Sequence, residues 1–336
     1  MSDLRVGVVG AGLMGADHII RIQDRVAGAK VTAVIDPDTS RAAAAAATAP
    51  GSASYASLPE AIAAGGMDAV LIATPGQFHL DDLLAALEAK LPVLCEKPLT
   101  PDAESALKVI DAEIAGGQKL IQVGFMRRFD PGYMELREMI ASNDLGDLLA
   151  LRCAHRNPSV PEGYTSEMLI NDSVVHEFDV VRFLTDSPIA AVDVKHLKRN
   201  SNNYPHLQEP ILAFLETESG VIADVEMNVS VRFGYQVKTE AVFENGIMEI
   251  GRTSGSTIWS DGKYFGAEHV TFKTRFKDAF ENELQRWVTA AKNGTIDGPS
   301  AWDGYLVAAA CKAGVEALNT GHRVEVVYAP KPAFYN

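Results

Sequence analysis

The segment Gly10-Ala11-Gly12-Leu13-Met14-Gly15 limits the folds open to this chain more than any other. It follows the apolar run Arg5–Gly10 (RVGVVG), which reads as a short buried strand, and it opens a helix-forming stretch over Leu13–Val26. Glycines at these three positions permit a tight strand-to-helix turn, a close approach of backbone to a pyrophosphate, and close packing of the helix on the sheet. The helix N-terminus then offers amides to the phosphate charge. Asp36 ends the next strand, Lys30–Asp36, 21 positions after Gly15. A carboxylate there accepts hydrogen bonds from the adenosine ribose and repels a 2′-phosphate, so the expected cofactor is NAD rather than NADP. Three glycines alone could serve a turn with no ligand. The flanking strand, helix and acidic residue favour the dinucleotide. Arg41 could accommodate a 2′-phosphate, but it reads as a solvated helix residue.

The rest of the first third repeats the same alternation. Ala69–Ala73, Pro92–Cys95 and Leu120–Val123 are apolar strands, separated by helical patterns at His79–Ala89 and Ala103–Ala115. The alanine-rich run Arg41–Ala49 reads as helix on propensity. Strands without polar alternation, joined by helices, predict a doubly wound parallel sheet of the Rossmann type. Beyond about residue 125 the pattern changes. Leu148–His155 reads as a strand and Ser173–Leu184 as a helix. Val225, Met227, Val229 and Val231 then alternate with polar residues, the period of a half-buried strand. Ile211–Leu215, Val237–Phe243 and Ile247–Ile250 surround it, with a hairpin turn at Glu244-Asn245-Gly246. Helices at Ala279–Lys292 and Ala301–Asn319 close the chain. The fold class is therefore α/β: an N-terminal Rossmann domain over 1–124 and a C-terminal α+β domain over 125–336. The second domain carries a large, mostly antiparallel open sheet.

Composition narrows the function. The 336 residues suit two domains rather than one. A net charge of −14 argues against a general nucleic-acid binder, which needs a basic face. Three dispersed cysteines, Cys95, Cys153 and Cys311, with no CxxC, argue against a disulfide scaffold or a structural zinc site and fit a reducing compartment. No secretory signal is legible at the N-terminus, and no apolar run is long enough to span a membrane, so a cytoplasmic location is expected.

Two places carry chemistry. Glu96-Lys97-Pro98 follows an apolar strand, and in a parallel sheet the carboxyl ends of strands face the ligand crevice. A lysine there can hydrogen-bond a substrate hydroxyl. Farther on, Asp172, His176 and Asp179 fall at i, i+4 and i+7, within about 60° of one another on a helix. Val174, Val175, Phe178 and Val181 lie off that stripe and can anchor the helix. A histidine beside a carboxylate suits general-base work near neutral pH. The competing structural reading makes Asp172 an N-cap and His176 a core histidine. A metal site is a third reading, but no companion ligand cluster is visible, and none is expected. Arg127 and Arg128 are solvated-face residues by type. Ser300-Ala301-Trp302-Asp303 is first a capping box.

These motifs together resemble the glucose–fructose oxidoreductase/inositol dehydrogenase/rhizopine-catabolism family, most closely its inositol branch. The resemblance rests on Gly10–Gly15 with His18, Ala73-Thr74-Pro75 with His79, and Glu96-Lys97-Pro98. It rests also on Gly124–Pro131 (GFMRRFDP), Asp172-x-x-x-His176 and Ala301-Trp302-Asp303-Gly304-Tyr305. These span nearly the whole chain.

The resemblance implies oxidation of a cyclitol ring hydroxyl, myo-inositol at C2 first, with NAD reduced. It implies Lys97, Asp172 and His176 as the catalytic group: His176 as base, Asp172 orienting it, Lys97 polarising the oxygen. Polyol contacts are implied for Arg127, His155, Asn157, Asp179 and Tyr235. Cofactor contacts are implied for Gly10, Gly12, Leu13, Met14, Gly15, Asp36, Ala73, Thr74, His79, Glu96 and Met126. A homotetramer joined through the open sheets is also implied. Scyllo-inositol or an aldopyranose are alternative substrates, and a nicotinamide-sensing protein without turnover is the alternative from another class. One departure stands out: Gly76 occupies the place where the family commonly has asparagine, which puts one cofactor-side contact in question.

Overall fold

A computed structural model describes residues 2–251 and 257–336. In chain order the first elements are β1 (Leu4–Val9), α1 (Leu13–Asp24), β2 (Ala29–Ile35), α2 (Thr39–Ala46), β3 (Ala53–Tyr55) and α3 (Leu58–Ala64). Then come β4 (Ala69–Ile72), α4 (His79–Glu88), β5 (Val93–Glu96), α5 (Ala103–Gly116) and β6 (Ile121–Gly124). The later half has α6 (Pro131–Ser142), β7 (Leu148–Arg156), a π-helical turn (Leu169–Val174), α7 (Val175–Thr185), β8 (Ile189–His196), β9 (Ile211–Thr217) and β10 (Ile222–Asn228). It continues with β11 (Gln236–Phe243), β12 (Ile247–Ile250), β13 (Thr257–Ser260) and β14 (Lys263–Gly266). Next are α8 (Phe272–Arg275), α9 (Lys277–Ala291), α10 (Ala301–Thr320) and β15 (Val324–Glu325).

Two compact units divide these elements. The first comprises Met1–Met126, Phe280–Ala308 and Pro330–Asn336. Its sheet has the order β3-β2-β1-β4-β5-β6, with parallel pairings throughout. Every residue of β4, β5 and β6 is buried, as expected for strands covered on both faces. The chain runs outward from β1 through β2 to β3, then starts again on the other side of β1 at β4. That reversal is the switch point beside which such sheets bind ligands. Local chemistry sets the helices. Asp38 caps α2 by accepting from the amides of Ser40 and Arg41, and the helix ends at Ala46, short of the alanine run's last residues. Asp102 caps α5, and Gly117 closes it with a left-handed φ of 74°.

The sequence boundary at residue 124 differs from this division. Leu284, Trp287, Val288 and Ala291 join Val6, Val8, Ile19, Val31, Leu71 and Leu94 in one buried cluster. A returning segment completes the first core, and no linear reading of the pattern marks that return.

The second unit comprises Arg127–Ala279 and Ala309–Ala329. Its sheet has the order β12-β11-β7-β10-β9-β8-β15. The β7–β10 pair is parallel and its other pairs are antiparallel. Register places Ile211, Met227, His155 and Val237 in one cross-sheet row, and all four are buried. The opposite face carries Phe214, Asp224, Arg152 and Glu240 in a row, none of them buried. The alternation expected from Val225 to Val231 holds only to Asn228. There the chain leaves the sheet, because the buried carboxylate of Glu209 takes the amide of Val229 and the hydroxyl of Ser230.

Candidate active site

In the first unit the three glycines each meet a different requirement. Gly10 has φ +90°, and a Cβ there would lie 2.7 Å from the Thr74 amide nitrogen. A Cβ on Gly15 would lie 1.7 Å from the Gly10 carbonyl oxygen, so α1 rests directly on the turn. A Cβ on Gly12 would meet nothing within 4 Å. Gly12 is also the N-cap of α1, and no side chain caps that helix. The open side of Gly12 and the uncapped amides fit a pyrophosphate. Thr74, just beyond β4, has a buried hydroxyl with no hydrogen-bond partner among the described residues. Leu13 is exposed, Met14 and Ala73 are half-buried, and Met126 is buried.

Asp36 lies just beyond β2 and is buried. It accepts from the amides of Ala11 and Asp38, each at 2.9 Å. Arg41 donates to it twice, from Nε at 2.9 Å and Nη2 at 2.7 Å. Burial alone would raise the Asp36 carboxyl, but these donors outweigh it and hold the group below the usual carboxylate range. Arg41 is thus an exposed helix residue, as expected, but one whose guanidinium is held on Asp36. The Asp38 cap starts α2 at the position that turns Arg41 back onto Asp36.

Lys97 follows β5 directly and is half-buried. Its surroundings are fixed from several sides. The buried His18 on α1 bonds Glu96 Oε1 at 2.7 Å, and Glu96 Oε2 accepts from the Lys97 amide at 3.3 Å. His79 places its ring nitrogens against the carbonyls of Pro98 and Thr74, at 2.8 and 2.7 Å. Burial lowers the His79 pKa, while the Thr74 and Pro98 carbonyls, which only accept, act in the opposite direction. His79 thus ties the loop after β4 to the loop after β5. The Lys97–Pro98 bond is cis. Gly76 packs on Pro98, where a Cβ would come within 2.9 Å of the ring. Ser300 and Asp303 do form a reciprocal cap, and Gly304 seats Leu99 so closely that a Cβ would lie 2.7 Å from it.

In the second unit the expected regular helix through Asp172 and His176 is interrupted. Residues Leu169–Val174 form a π-helical turn and α7 begins at Val175, with Val174 rather than Asp172 at its N-cap. The 3.6-residue period therefore does not run from Asp172 to Asp179. Such turns recur at functional sites. Tyr164 anchors this one, its hydroxyl donating to the Met168 carbonyl at 2.7 Å and accepting from Ser173 Oγ at 2.8 Å. Asp172 is exposed and His176 half-buried, while Asp179 is buried and clasped by Arg128 at 2.6–3.1 Å.

Arg127 and His155 are buried too, at 1% and 3% exposure. Arg127 bonds Glu177 through Nη1 and lies 3.1 Å from His155 Nδ1 through Nη2. Glu177 Oε2 lies 3.2 Å from the same Nδ1. The guanidinium also sits over the Phe276 ring at 5.5 Å. Burial opposes the Glu177 charge, but Arg127 and His155 outweigh it and bring the carboxyl down to about 2. The His155 ring is 6.2 Å from His176 and 6.0 Å from Tyr235, centroid to centroid. Asn157, just beyond β7, has a buried side-chain oxygen with no partner among the described residues. Glu177 was not foreseen. It sits between His176, an expected site residue, and Phe178, an expected anchor of the helix, and only its buried charge marks it. The structure thus gathers Gly10, Asp36 and Thr74 in the first unit, and Arg127, His155 and His176 in the second. Lys97 belongs to the first unit, Asp172 and His176 to the second.

Comparison with known proteins agrees with this geometry. The family described as "Oxidoreductase family, NAD-binding Rossmann fold" matches residues 4–125, and the GFO/IDH/MocA C-terminal domain matches residues 133–249. Inositol 2-dehydrogenase of Corynebacterium glutamicum is 56% identical over 333 residues, 99% of this chain and 98% of the relative. That of Leifsonia xyli is 57% identical over 334 residues, with the same coverage. Among solved structures, myo-inositol dehydrogenase of Lactobacillus casei in complex with NAD(H) and myo-inositol superposes with a TM-score of 0.96 at 32% identity, covering 99% of this chain and 100% of that one. Scyllo-inositol dehydrogenase of the same organism, with NAD(H) and scyllo-inositol, gives 0.88 at 25% identity, covering 97% and 99%.

Proposed function

The chain belongs to the GFO/IDH/MocA family of NAD-binding oxidoreductases, and from that premise we propose that it oxidises a ring hydroxyl of an inositol, myo-inositol at C2, to the ketone. It is an NAD-dependent dehydrogenase acting on CH–OH. The observation that carries the reading is full-length identity above half with inositol 2-dehydrogenases, together with a cradle at Gly12 that fits a dinucleotide.

The cofactor would be held at Gly10, Gly12, Leu13, Met14 and Gly15, with Asp36 on the ribose. Ala73, Thr74, Glu96 and Met126 line the same end of the parallel sheet or the strand that follows it. NAD bound there supplies a hydride acceptor. His79 holds the loop after β5 rather than offering a ring nitrogen to a ligand, since carbonyls engage both nitrogens. In the reaction His176 accepts the hydroxyl proton. Asp172 orients the imidazole and balances its charge. Lys97 donates a hydrogen bond to the same oxygen as negative charge develops there. Asn157, with its unpartnered oxygen, accepts from a second hydroxyl, and Tyr235 closes against His155. Arg127 and Asp179 act through neighbours: each is buried and engaged in an ion pair within the second unit.

Absorbance of NADH across myo-inositol, scyllo-inositol, chiro-inositol, glucose and xylose, each with NAD and NADP, tests the reading. Turnover fastest with myo-inositol and NAD is expected. Turnover of scyllo-inositol or a sugar alone would discard the substrate, and silence with NAD still bound would favour a sensor. His176→Ala and Lys97→Ala should each lower kcat by about 10²–10⁴; intact turnover in either would remove that residue from the mechanism.

The assembly belongs to the same proposal: a cytoplasmic homotetramer joined through the open face of the seven-stranded sheet. Phe214 and Leu212 on that face, beside Arg152, Asp224 and Glu240, support it, and a monomer at micromolar concentration in sedimentation velocity would reject it. Cys95, Cys153 and Cys311 form no disulfide, and no helix among the described residues is long and apolar enough to cross a membrane.

A further inference from the structure

Glu177 is buried to 1% exposure, one residue from the proposed base, and it shares one nitrogen of His155 with an arginine. Nδ1 of His155 faces two partners that make opposite demands. Arg127 can only donate, so its contact at 3.1 Å asks Nδ1 to accept. A carboxylate can only accept, so Glu177 Oε2 at 3.2 Å asks Nδ1 to carry the proton. A neutral imidazole cannot meet both demands at one nitrogen. Whichever partner prevails also fixes the chemistry of Nε2, the ring nitrogen left for a ligand.

The balance of unmet groups decides between them. If Nδ1 accepted from Arg127, its lone pair would face Oε2, which has no other hydrogen-bonding neighbour among the described residues; Arg127 reaches Oε1 instead. A buried carboxylate oxygen would then be both undonated and opposed by a lone pair. If Nδ1 donates to Oε2, the carboxylate is satisfied at both oxygens. The Arg127 guanidinium then gives up its Nη2 contact with Nδ1 but keeps its ion pair with Glu177 and the face of Phe276 at 5.5 Å. The surrounding groups do not reverse this. Tyr133 of α6, Cys153 of β7 and Tyr235 are neutral near pH 7, their ionisation pushed up by burial.

We propose that Glu177 is a positioning residue that locks His155 as the Nδ1–H tautomer, so that Nε2 is a hydrogen-bond acceptor and reads a hydroxyl donor on the polyol. Sequence proximity hides this role. Glu177 lies beside His176 in the chain, but about 100° around the helix from it, on the side that faces the sheet. The inference deepens the inositol reading and rests on His155 contacting the substrate. Its first test does not.

Selective ¹⁵N-histidine labelling with long-range ¹H–¹⁵N correlation distinguishes a protonated Nδ1 from a protonated Nε2, with His155 assigned by the signals lost in His155→Gln. The wild-type protein is expected to show protonated Nδ1 and unprotonated Nε2 at His155 near pH 7. Protonated Nε2 would overturn the proposal without any assay of activity. In Glu177→Gln, whose amide can donate to Nδ1, the ring should change to the Nε2–H form. Its KM for myo-inositol should then rise at least about tenfold while kcat moves little, the pattern of lost uniform binding. NAD affinity, read by protein fluorescence quenching, should stay unchanged. An unchanged tautomer or an unchanged KM in Glu177→Gln would also overturn it. If wild-type protein shows the Nδ1–H form but turns over no inositol, the substrate reading fails and the tautomer lock stands.

Discussion

Asp36 carries four hydrogen bonds from its own chain: two from the backbone amides of Ala11 and Asp38 and two from Arg41, whose side chain is half in solvent. A carboxylate has room for about four. A ribose diol therefore competes with Arg41, the only mobile donor of the set, while the amides of Ala11 and Asp38 keep the carboxylate aimed. Arg41→Ala should leave kcat/KM for NAD within about threefold of wild type or raise it, and should lower turnover with NADP further. Asp36→Ala should weaken NAD by about ten- to a hundredfold, the ~1.5–3 kcal/mol of hydrogen bonds to a charged group. It should also release Arg41 for a 2′-phosphate. Steady-state kinetics with both cofactors measure this, and an Asp36→Ala variant that still excludes NADP would refute the account. Asp36 was legible because its place follows from a strand end at fixed spacing from a glycine turn. Arg41 was not, because the face it shows depends on where Asp38 starts the helix. Glu177 was hidden for a related reason: among valines and a phenylalanine its charge looks like an exposed position, whereas Arg127, 50 positions away, is what keeps it inside.

The β1–turn–α1 unit separates ligand effects from folding effects. Gly12 has φ −73°, a value any residue adopts, and space around its missing Cβ. Gly15 has no such space, with backbone oxygen 1.7 Å from a built Cβ. Gly12→Ala should therefore melt within a few degrees of wild type yet bind NAD at least about tenfold more weakly, because the new methyl occupies the approach to the helix amides. Gly15→Ala should lose stability outright, since helix and turn must part. Thermal melts paired with NAD titration check both, and a Gly12→Ala variant with wild-type affinity would remove the pyrophosphate from that turn. Elements of this kind were readable where one signal dominates, as in the all-apolar strand β4 or the matching bounds of β12. They were unreadable where two signals conflict. Ser173–Leu184 has helical composition throughout, and nothing in composition marks the π-helical turn that shifts Asp172 out of the period of α7. The exposed hairpin β13–β14 was overlooked although Asp261-Gly262, both at positive φ (52° and 70°), is a standard signal for a two-residue turn. Its strands lack polar alternation, and Trp259 and Tyr264 are 75% and 76% exposed.

The whole molecule is built from units that the chain enters more than once. Residues 1–124 contain every strand of the parallel sheet, so the sequence draws a complete domain there. The core says otherwise: Leu284, Trp287 and Val288, each at most 1% exposed, fill the same cluster as Val6, Val8 and Leu71. Gln122 accepts from the Asp297 amide at 3.2 Å, and the Val123 amide donates to the Pro299 carbonyl at 2.8 Å, so the last strand also relies on the returning segment. The Tyr335 hydroxyl donates to Glu113, a buried carboxylate that accepts from the amides of Leu120 and Ile121. Losing one large core side chain costs about 2–5 kcal/mol, and a domain's whole stability is about 5–15 kcal/mol. Removing the segment strips several such side chains at once. A fragment of residues 1–124 should therefore show no cooperative melt and no NAD binding. The same fragment joined by a flexible linker to residues 280–308 should recover both. Circular-dichroism melts and fluorescence titration compare the two, and a fragment of 1–124 that melts cooperatively and binds NAD like the full chain would show that the returning helix merely covers a core already complete.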